Sequence, residues 1–157
     1  MTTPQGPATV STLAEARYFG ARGVTDLIYA VGIAPQKLAE VSRLRSLGAD
    51  IKIILDSAEA ARAVSAFCRR EKTTIPVLLE IDVDGHRSGI RPDGAELLPA
   101  AAALADGAEL VGVLTHAGDS YECKSTAEIE AAAEAERAGI VLAAERLRAA
   151  GHIVKIV

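Results

Sequence analysis

Two apolar segments of the chain run directly into polar clusters, and these clusters hold the residues best suited to chemistry. Pro76–Asp82 leads into Val-Asp-Gly-His-Arg-Ser-Gly, and Leu110–His116 leads into Ala-Gly-Asp-Ser-Tyr. Both apolar segments have the composition of buried strands. In β/α barrels, catalytic and binding groups lie where strands give way to loops. The two clusters are therefore the candidate floor of an active site.

Glu80, Asp82 and Asp84 are the acidic residues of the first cluster. Glu80 and Asp82 alternate along the strand and so share one face at its end, while Asp84 follows in the loop. Acids placed this way could carry out acid–base chemistry or bind a metal. The alternative is that they cap the loop, or pair with Arg87 and Arg91, without a catalytic role.

Arg87 lies between Gly85 and Gly89, which is typical of a shaped loop. A guanidinium at a strand end can bind a carboxylate, a phosphate or a phenolate, and the alternative is an ordinary surface arginine. His116 ends the second strand, where an imidazole can move a proton, bind metal, stack on an aromatic ring or fill a structural position. Tyr121 follows in the loop as a candidate phenolic donor.

Other site chemistries find no support in the sequence. His116 and Cys123 lack the further ligands that a zinc site needs. There is no Gly-x-Ser-x-Gly nucleophile motif, no Gly-x-x-x-x-Gly-Lys phosphate loop and no Gly-x-Gly-x-x-Gly after the first strand. We therefore expect no metal site, no serine nucleophile and no dinucleotide-binding sheet.

The elements that position these residues alternate between strand and helix. Strands are predicted at Ala8–Ser11, Leu27–Val31, Ile51–Asp56, Pro76–Asp82, Leu110–His116 and Ile153–Val157, and helices at about 12–21, 34–47, 57–71, 95–106 and 126–150. The strands are rich in Val, Ile and Leu without clean alternation, as is typical of parallel strands covered on both faces. The pattern predicts an α/β fold, either an open doubly wound sheet or an incomplete TIM-like (β/α)8 barrel.

Glycines and capping residues mark the helix boundaries. Four glycines stand between a helix and the next strand, where a left-handed residue ends the helix: Gly23, Gly48, Gly107 and Gly151. Asp56 with Glu59, and Ser125 with Glu128, match the capping box at a helix start. Gly139 falls inside the last and longest helix and is a candidate break.

Composition narrows the class of protein. Half of the 157 residues are hydrophobic and only 3% are aromatic, so aliphatic side chains fill the core of one domain spanning residues 1–157. A net charge of −4, without a Lys/Arg run, argues against nucleic-acid binding. No segment has the length of a membrane span, and the first residues lack the features of a signal peptide. Two cysteines without paired spacing favour a reduced, cytoplasmic protein.

Five segments, taken in order, resemble those of a known family. They are Thr9-Val-Ser-Thr-Leu-Ala-Glu-Ala, Asp26-Leu-Ile-Tyr-Ala-Val, Ile53-Ile-Leu-Asp-Ser, Leu79-Glu-Ile-Asp-Val-Asp-Gly-His-Arg-Ser-Gly and Leu114-Thr-His-Ala-Gly-Asp-Ser-Tyr. From about Pro7 to the end, the chain resembles the D-threonine aldolase and D-serine dehydratase family. Those proteins share an alanine-racemase-like N-terminal barrel that carries pyridoxal phosphate. The resemblance implies a partial barrel whose parent reaction is cleavage, dehydration or racemisation of a D-amino acid, with β-hydroxy-D-amino acids as the expected substrates.

The resemblance also implies roles for three residues. Arg87 would lie near the phenolic oxygen of pyridoxal phosphate, His116 would lie against its pyridine ring, and Tyr121 would reach toward the imine or the substrate. The Schiff-base lysine would belong to a strand before Ala8–Ser11, where only seven residues stand and none is lysine. The phosphate loop and a metal-binding C-terminal domain would follow Val157.

We therefore expect no catalytic residue, no metal and little or no activity from this chain alone. By position Lys124 is the nearest substitute for the missing lysine, whereas Lys52 is expected at the wrong end of the barrel. Three alternatives stay open: a non-catalytic α/β interaction module, one piece of a split enzyme, and a fragment of a longer gene. Either of the first two would complete its barrel through exposed strand edges, with a second copy or with another chain.

Overall fold

A computed structural model describes residues 6–157, which form an α/β unit around one parallel sheet. Its strands are β1 (Ala8–Val10), β2 (Asp26–Gly32), β3 (Asp50–Leu55), β4 (Ile75–Ile81) and β5 (Ala108–Thr115). They lie side by side in chain order, each parallel to the next. Sequential parallel order with helical crossovers is the arrangement of a β/α barrel, and five strands make part of one.

Five α-helices connect or follow these strands. They are α1 (Leu13–Gly20), α2 (Leu38–Ser46), α3 (Ala58–Glu71), α4 (Leu97–Ala102) and α5 (Thr126–Ala149), and short 3₁₀ turns occupy Pro35–Lys37 and Asp119–Glu122. The predicted α/β class and the five helices are confirmed. Within the described residues, no helix is both long enough and apolar enough to cross a membrane.

The sixth predicted strand, Ile153–Val157, is present only as a bridged segment. One isolated bridge joins Gly112 to Ile156. The amides of Lys155 and Ile156 both donate to the carbonyl of Val111, at 2.9 and 3.1 Å. The pairing of β4 with β5 skips Val111, so a bulge there turns its carbonyl toward the returning chain. The expectation of about six strands is thus corrected to five strands and this segment.

The two faces of the sheet bury different residues. One face packs under the helices in a continuous aliphatic core that includes Val41, Val64 and Leu147. Ile54 and Leu78 are also fully buried but lie outside that core cluster. They are paired in register with each other, so they form a layer on the opposite face, which is the interior of the partial barrel.

The helix boundaries follow the expected signals with one correction. The four glycines after helices all have left-handed φ angles, between 87° and 98°. Ser125 and Glu128 form the predicted capping box of α5. The cap of α3 is Ser57, whose hydroxyl accepts from the amide of Ala60 at 3.2 Å, and not Asp56 as predicted. A second capping box, formed by Thr12 and Glu15 at α1, was not predicted.

Gly139 allows a close approach and does not interrupt α5. The helix continues through it to Ala149. A Cβ at this position would lie 2.8 Å from Cγ1 of Val83, in the loop that follows β4. The missing side chain therefore lets α5 pack directly on that loop. The N-terminal half of α5 is largely exposed, whereas Ala143, Ala144 and Leu147 in its second half are buried.

Gly112 should be essential for the return of the C-terminal segment onto β5. A Cβ there would overlap the carbonyl oxygen of Ile156. We expect Gly112→Ala to lower the free energy of unfolding by about 1–3 kcal/mol, measured by urea denaturation. Gly20→Ala is the matched control, because a Cβ at Gly20 would meet no atom of another part of the chain within 4 Å, and it should be neutral or mildly stabilising. Equal stability of the two variants would contradict the packing described here.

Candidate functional site

A cavity of about 600 Å³ opens at the carboxyl ends of the strands. Its polar lining comes from β1 and the residue just after it, from the end of β4 and the loop after it, and from the end of β5: Thr9, Ser11, Glu80, Arg87, Ser88, Thr115 and His116. Parallel strands all end at the same edge of the sheet, so residues far apart in the chain meet here. The two sequence clusters therefore contribute to a single site.

The loop after β4 turns back and pairs with the strand it has just left. The amide of Ile90 donates to the carbonyl of Glu80 at 2.9 Å, and the amide of Asp82 donates to the carbonyl of Ile90 at 3.0 Å. Gly89 presses against this strand with φ of 128°, and a Cβ there would lie 2.6 Å from the nitrogen of Asp82. Only glycine fits such a position. The turn places Arg87 in the cavity wall.

Two of the three clustered acids hold loops in place. Asp82 is 8% exposed and accepts from the amide of Gly85 at 2.7 Å. Asp84 accepts from the amide of His86 at 3.1 Å and from the amide of Gly118, which joins the loop after β4 to the loop after β5. Neither acid is among the residues that line the 600 Å³ cavity in the described chain. Their contacts match the loop-capping alternative.

Glu80 is the clustered acid that faces the cavity. It is 8% exposed, and its Oε1 accepts from the hydroxyl of Ser88 at 3.0 Å. Burial raises the pKa of Glu80 above its ordinary value of 4.5. The Ser88 hydrogen bond opposes this shift, nearby Asp56 adds to it, and the positive fields of Arg87 and His116 oppose it.

Arg87 and His116 share the cavity, with Tyr121 beside them. The stem of Arg87 passes Gly118, where its Cδ lies 3.6 Å from the position a Cβ would take. The rings of His116 and Tyr121 have centroids 6.3 Å apart and planes inclined at 46°. Tyr121 is 72% exposed, and its side chain is outside the lining. The structure thus brings two of the three predicted site residues into one cavity wall.

Several residues of the site were not identified from the sequence. Thr9 and Ser11 line the cavity because β1 ends at the same edge as β4 and β5. Ser88 was noted only as a neighbour of Arg87, although its hydroxyl binds Glu80. Gly118 makes room for the arginine stem and donates to Asp84. Placing them in the site requires the order of the strands in the sheet, which sequence pattern alone does not give.

No lysine lines this cavity within residues 6–157. Lys52 lies at the opposite end of the strands, with its Nζ 2.8 Å from carboxylate oxygens of Asp26 and Asp50. Burial acts to lower the pKa of Lys52, but hydrogen bonds to Asp26 and Asp50 outweigh it and raise the pKa. Its expected location at the wrong end of the barrel is confirmed. In the same described range, no group of three or more His, Cys, Asp or Glu residues is placed to hold a metal.

The strand order defines a partial β/α barrel, and comparison with known proteins identifies its family. Residues 5–157 match the model for the N-terminal domain of alanine racemase, so the chain belongs to that family. D-threo-3-hydroxyaspartate dehydratase of Delftia sp. (strain HT23) is 52% identical over 145 residues, which is 91% of this chain and 38% of that protein. An uncharacterized protein of Mycobacterium tuberculosis (strain ATCC 25618 / H37Rv) is 34% identical, over 90% of this chain and 81% of its own length.

Solved structures agree with this assignment. The Delftia dehydratase superposes with a TM-score of 0.94 at 49% identity, covering 97% of this chain and 41% of that one. D-threonine aldolase from Filomicrobium marinum superposes with a TM-score of 0.81 at 25% identity, covering 96% and 41%. The chain thus spans about two fifths of the length of these enzymes. The predicted resemblance to the aldolase and dehydratase family, as a partial barrel, is confirmed.

Replacing Glu80 with glutamine should change how stability depends on pH. Because the folded-state pKa is raised, the carboxyl contributes stability that is fully present below the unfolded pKa of 4.5 and is lost as pH rises through the folded value. We therefore expect Glu80→Gln to gain stability relative to wild type as pH increases from about 4 to 8. Urea unfolding at stepped pH measures this. Glu109→Gln, an exposed site on β5, is the control and should show no such trend; a flat Glu80→Gln difference would count against the buried carboxyl.

Proposed function

We propose that this chain is the part of a pyridoxal-phosphate barrel enzyme that recognises the cofactor ring, and that the whole enzyme acts on β-hydroxy-D-amino acids. The observation that carries the proposal is the cavity that joins Arg87 to His116 at the strand ends. When bound, pyridoxal phosphate supplies an electron sink for breaking bonds next to the amino-bearing carbon. The 52% identity to D-threo-3-hydroxyaspartate dehydratase supports the substrate class.

The chemistry of the cavity suits the ring of that cofactor. A guanidinium stays charged at all working pH values and donates strongly to a phenolate oxygen, which is the role proposed for Arg87. The flat imidazole of His116 is suited to lie against a pyridine ring. A volume of about 600 Å³ is in the range of small-molecule sites. Tyr121, in ring contact with His116, is proposed to approach the substrate side of the ring.

The same cavity does not suit covalent attachment of the cofactor by this chain. Its lining in the described range contains no lysine, and the amine of Lys52 is engaged by two carboxylates at the other end of the sheet. A lysine that condenses with an aldehyde needs a depressed pKa and a place beside the ring. We therefore propose weak, non-covalent ring binding and little or no lyase activity for the chain by itself.

We also propose a cellular location for the enzyme and a chemical type for its substrate. Cys68 and Cys123 are not joined in a disulfide. Cysteines outside disulfides are typical of a reducing compartment, so we propose a cytoplasmic location. Thr9, Ser11 and Ser88 give the cavity hydroxyl groups that suit a small polar amino acid.

Pyridoxine 5′-phosphate provides a clean test of ring binding. It carries an alcohol where pyridoxal phosphate has an aldehyde, so it does not react with surface lysines. We expect saturable binding by fluorescence titration, weakened about tenfold or more by Arg87→Gln, because a charge-assisted hydrogen bond is lost. Arg91→Gln removes the same charge outside the cavity lining and should leave the affinity unchanged. Absence of binding, or equal loss in both variants, would refute the proposal.

Reduction with borohydride tests the absence of covalent attachment. After incubation of the purified chain with pyridoxal phosphate, we expect only scattered, substoichiometric modification of exposed lysines, located by peptide mass spectrometry. Lys52 is expected to react least, because its ammonium is held by Asp26 and Asp50. A stoichiometric adduct at one lysine would show that the chain carries its own anchoring amine.

A second candidate function is completion of the barrel by association with another copy or a complementing chain. Strand β1 and the bridged segment 153–157 form the two edges of the sheet, and Ile129 on α5 is 50% exposed. The mycobacterial relative, of which this chain covers 81%, shows that chains of similar length occur in the family. Exposed edges invite pairing with another chain.

Sedimentation over a wide concentration range tests this candidate. We expect a reversible increase in mass with concentration. In Ile129→Lys that increase should shift to higher concentration, because a charge at this exposed apolar position opposes its burial in an interface. The exposed Leu142→Lys, further along α5, serves as the comparison for a general effect of charge. A strictly monomeric wild type at every concentration would exclude self-association.

A further inference from the structure

Glu80 is a buried ionisable group, and it has no role in the ring binding proposed above. Its carboxyl lies at the end of β4 and faces the cavity. Ser88, in the loop after β4, donates a hydrogen bond to it. Arg87 of the same loop and His116 at the end of β5 line the same cavity, and the charges of Asp56, Arg87 and His116 all influence the pKa of Glu80. Burying a charged carboxyl costs free energy unless the carboxylate is paired with a positive charge and hydrogen-bonded.

The other nearby acids are committed elsewhere. The carboxylates of Asp82 and Asp84 bind backbone amides of the two loops. Asp56 is exposed and lies outside the cavity lining. Of the acids in the described chain, Glu80 is the one that lines the cavity with Arg87, and its hydrogen bond to Ser88 ties it to the residue next to Arg87.

The stem of Arg87 packs against the loop after β5. Its Cδ lies 3.6 Å from the position that a Cβ on Gly118 would take, and its side chain lines the cavity that Glu80 also lines. A long arginine side chain loses considerable freedom when its head is held in one place. A carboxylate fixed on the cavity wall supplies the attraction that offsets this loss.

We infer that Glu80 is a positioning residue for Arg87: its carboxylate, held by the Ser88 hydroxyl, orients the guanidinium across the cavity. Protonation of Glu80 removes the attraction and frees the arginine head. The consequence for ligand binding rests on the proposed function, whereas the coupling between Glu80 and Arg87 does not. Affinity for a phenolate-bearing ring then falls on acidification, and it does so at a higher pH than an ordinary, exposed glutamate would produce.

The coupling is tested without any ligand. Carbon-13 NMR follows the Glu80 side-chain carboxyl through a pH titration in wild type, Arg87→Gln and Arg91→Gln. We expect the Glu80 midpoint to move to higher pH in Arg87→Gln, because a favourable neighbouring cation is lost, and to stay in place in Arg91→Gln. An unchanged midpoint in Arg87→Gln would overturn the inference.

The ligand arm asks whether Glu80 acts through Arg87. With pyridoxine 5′-phosphate at neutral pH, we expect Glu80→Gln to weaken binding roughly fivefold, and Glu109→Gln to leave it unchanged. The double variant Glu80→Gln/Arg87→Gln should bind no more weakly than Arg87→Gln alone, because a positioning residue has no effect once its target is gone. Additive losses would overturn the inference, since a purely structural role predicts them.

The pH dependence of the affinity is the last ligand measurement. Its outcomes distinguish a failure of this inference from a failure of the proposed function. Because the phosphate of the ligand itself titrates at about pH 6, each variant is compared with wild type at the same pH. The ratio of wild-type to Glu80→Gln affinity should fall toward one as pH drops through the Glu80 midpoint measured by NMR, whereas the ratio of wild-type to His116→Asn affinity should show no step at that midpoint. A wild-type to Glu80→Gln ratio that does not change with pH would overturn the inference. If no protein binds pyridoxine 5′-phosphate, the proposed function fails, and the NMR titration alone decides whether Glu80 and Arg87 are coupled.

Discussion

The return of the loop after β4 onto its own strand is the constraint on which the site depends. Two backbone hydrogen bonds between Ile90 and the end of β4 close this loop, and they require residue 89 to approach the strand more closely than any side chain permits. The closed loop places Arg87 and Ser88 in the cavity wall. The bond from Gly118 to Asp84 then fixes the loop after β5 against the first loop. A single glycine contact thus supports the geometry of both loops.

Charge is distributed very differently at the two ends of the sheet. At the amino ends, Lys52 is held by Asp26 and Asp50, and its raised pKa keeps it a permanent cation. At the carboxyl ends, the buried Glu80 has a raised pKa because its environment penalises the ionised form. Paired charges serve stability, whereas an ionisable group with a perturbed pKa in a cavity is typical of a functional site. The two ends of the sheet therefore differ in their electrostatics, and the candidate site lies at the end that carries the buried, cavity-lining acid.

The sheet of this chain superposes on part of the barrel of its larger relatives. The chain superposes on two fifths of a dehydratase and of an aldolase with TM-scores of 0.94 and 0.81, so the sheet keeps the curvature of the barrel without being closed. Its C-terminal segment reaches β5 only where Val111 bulges and Gly112 has no side chain. The large buried residues Ile54 and Leu78 lie on the inner face, separate from the helix-covered core. Burial on both faces explains why the strands read as continuous apolar runs.

Sequence pattern by itself determined the α/β class, the five helices, the glycine stops and the meeting of Arg87 with His116. These depend on local signals, since aliphatic runs, capping residues and strand-end polar clusters are each readable within a few residues. The cap of α3 was placed one residue early because Asp56 and Ser57 are both good caps.

Only the tertiary structure decided the rest of the site. Whether Ile153–Val157 pairs as a strand depends on a bulge in β5, and whether Gly139 breaks α5 depends on Val83 beneath it. The different roles of Glu80, Asp82 and Asp84 depend on which group each carboxylate binds: the Ser88 hydroxyl, the Gly85 amide, and the His86 and Gly118 amides, respectively. The contacts that join Val111 to the C-terminal segment, Gly139 to Val83 and Asp84 to Gly118 link residues that are distant in sequence, and their energies depend on burial and orientation, which no local pattern encodes.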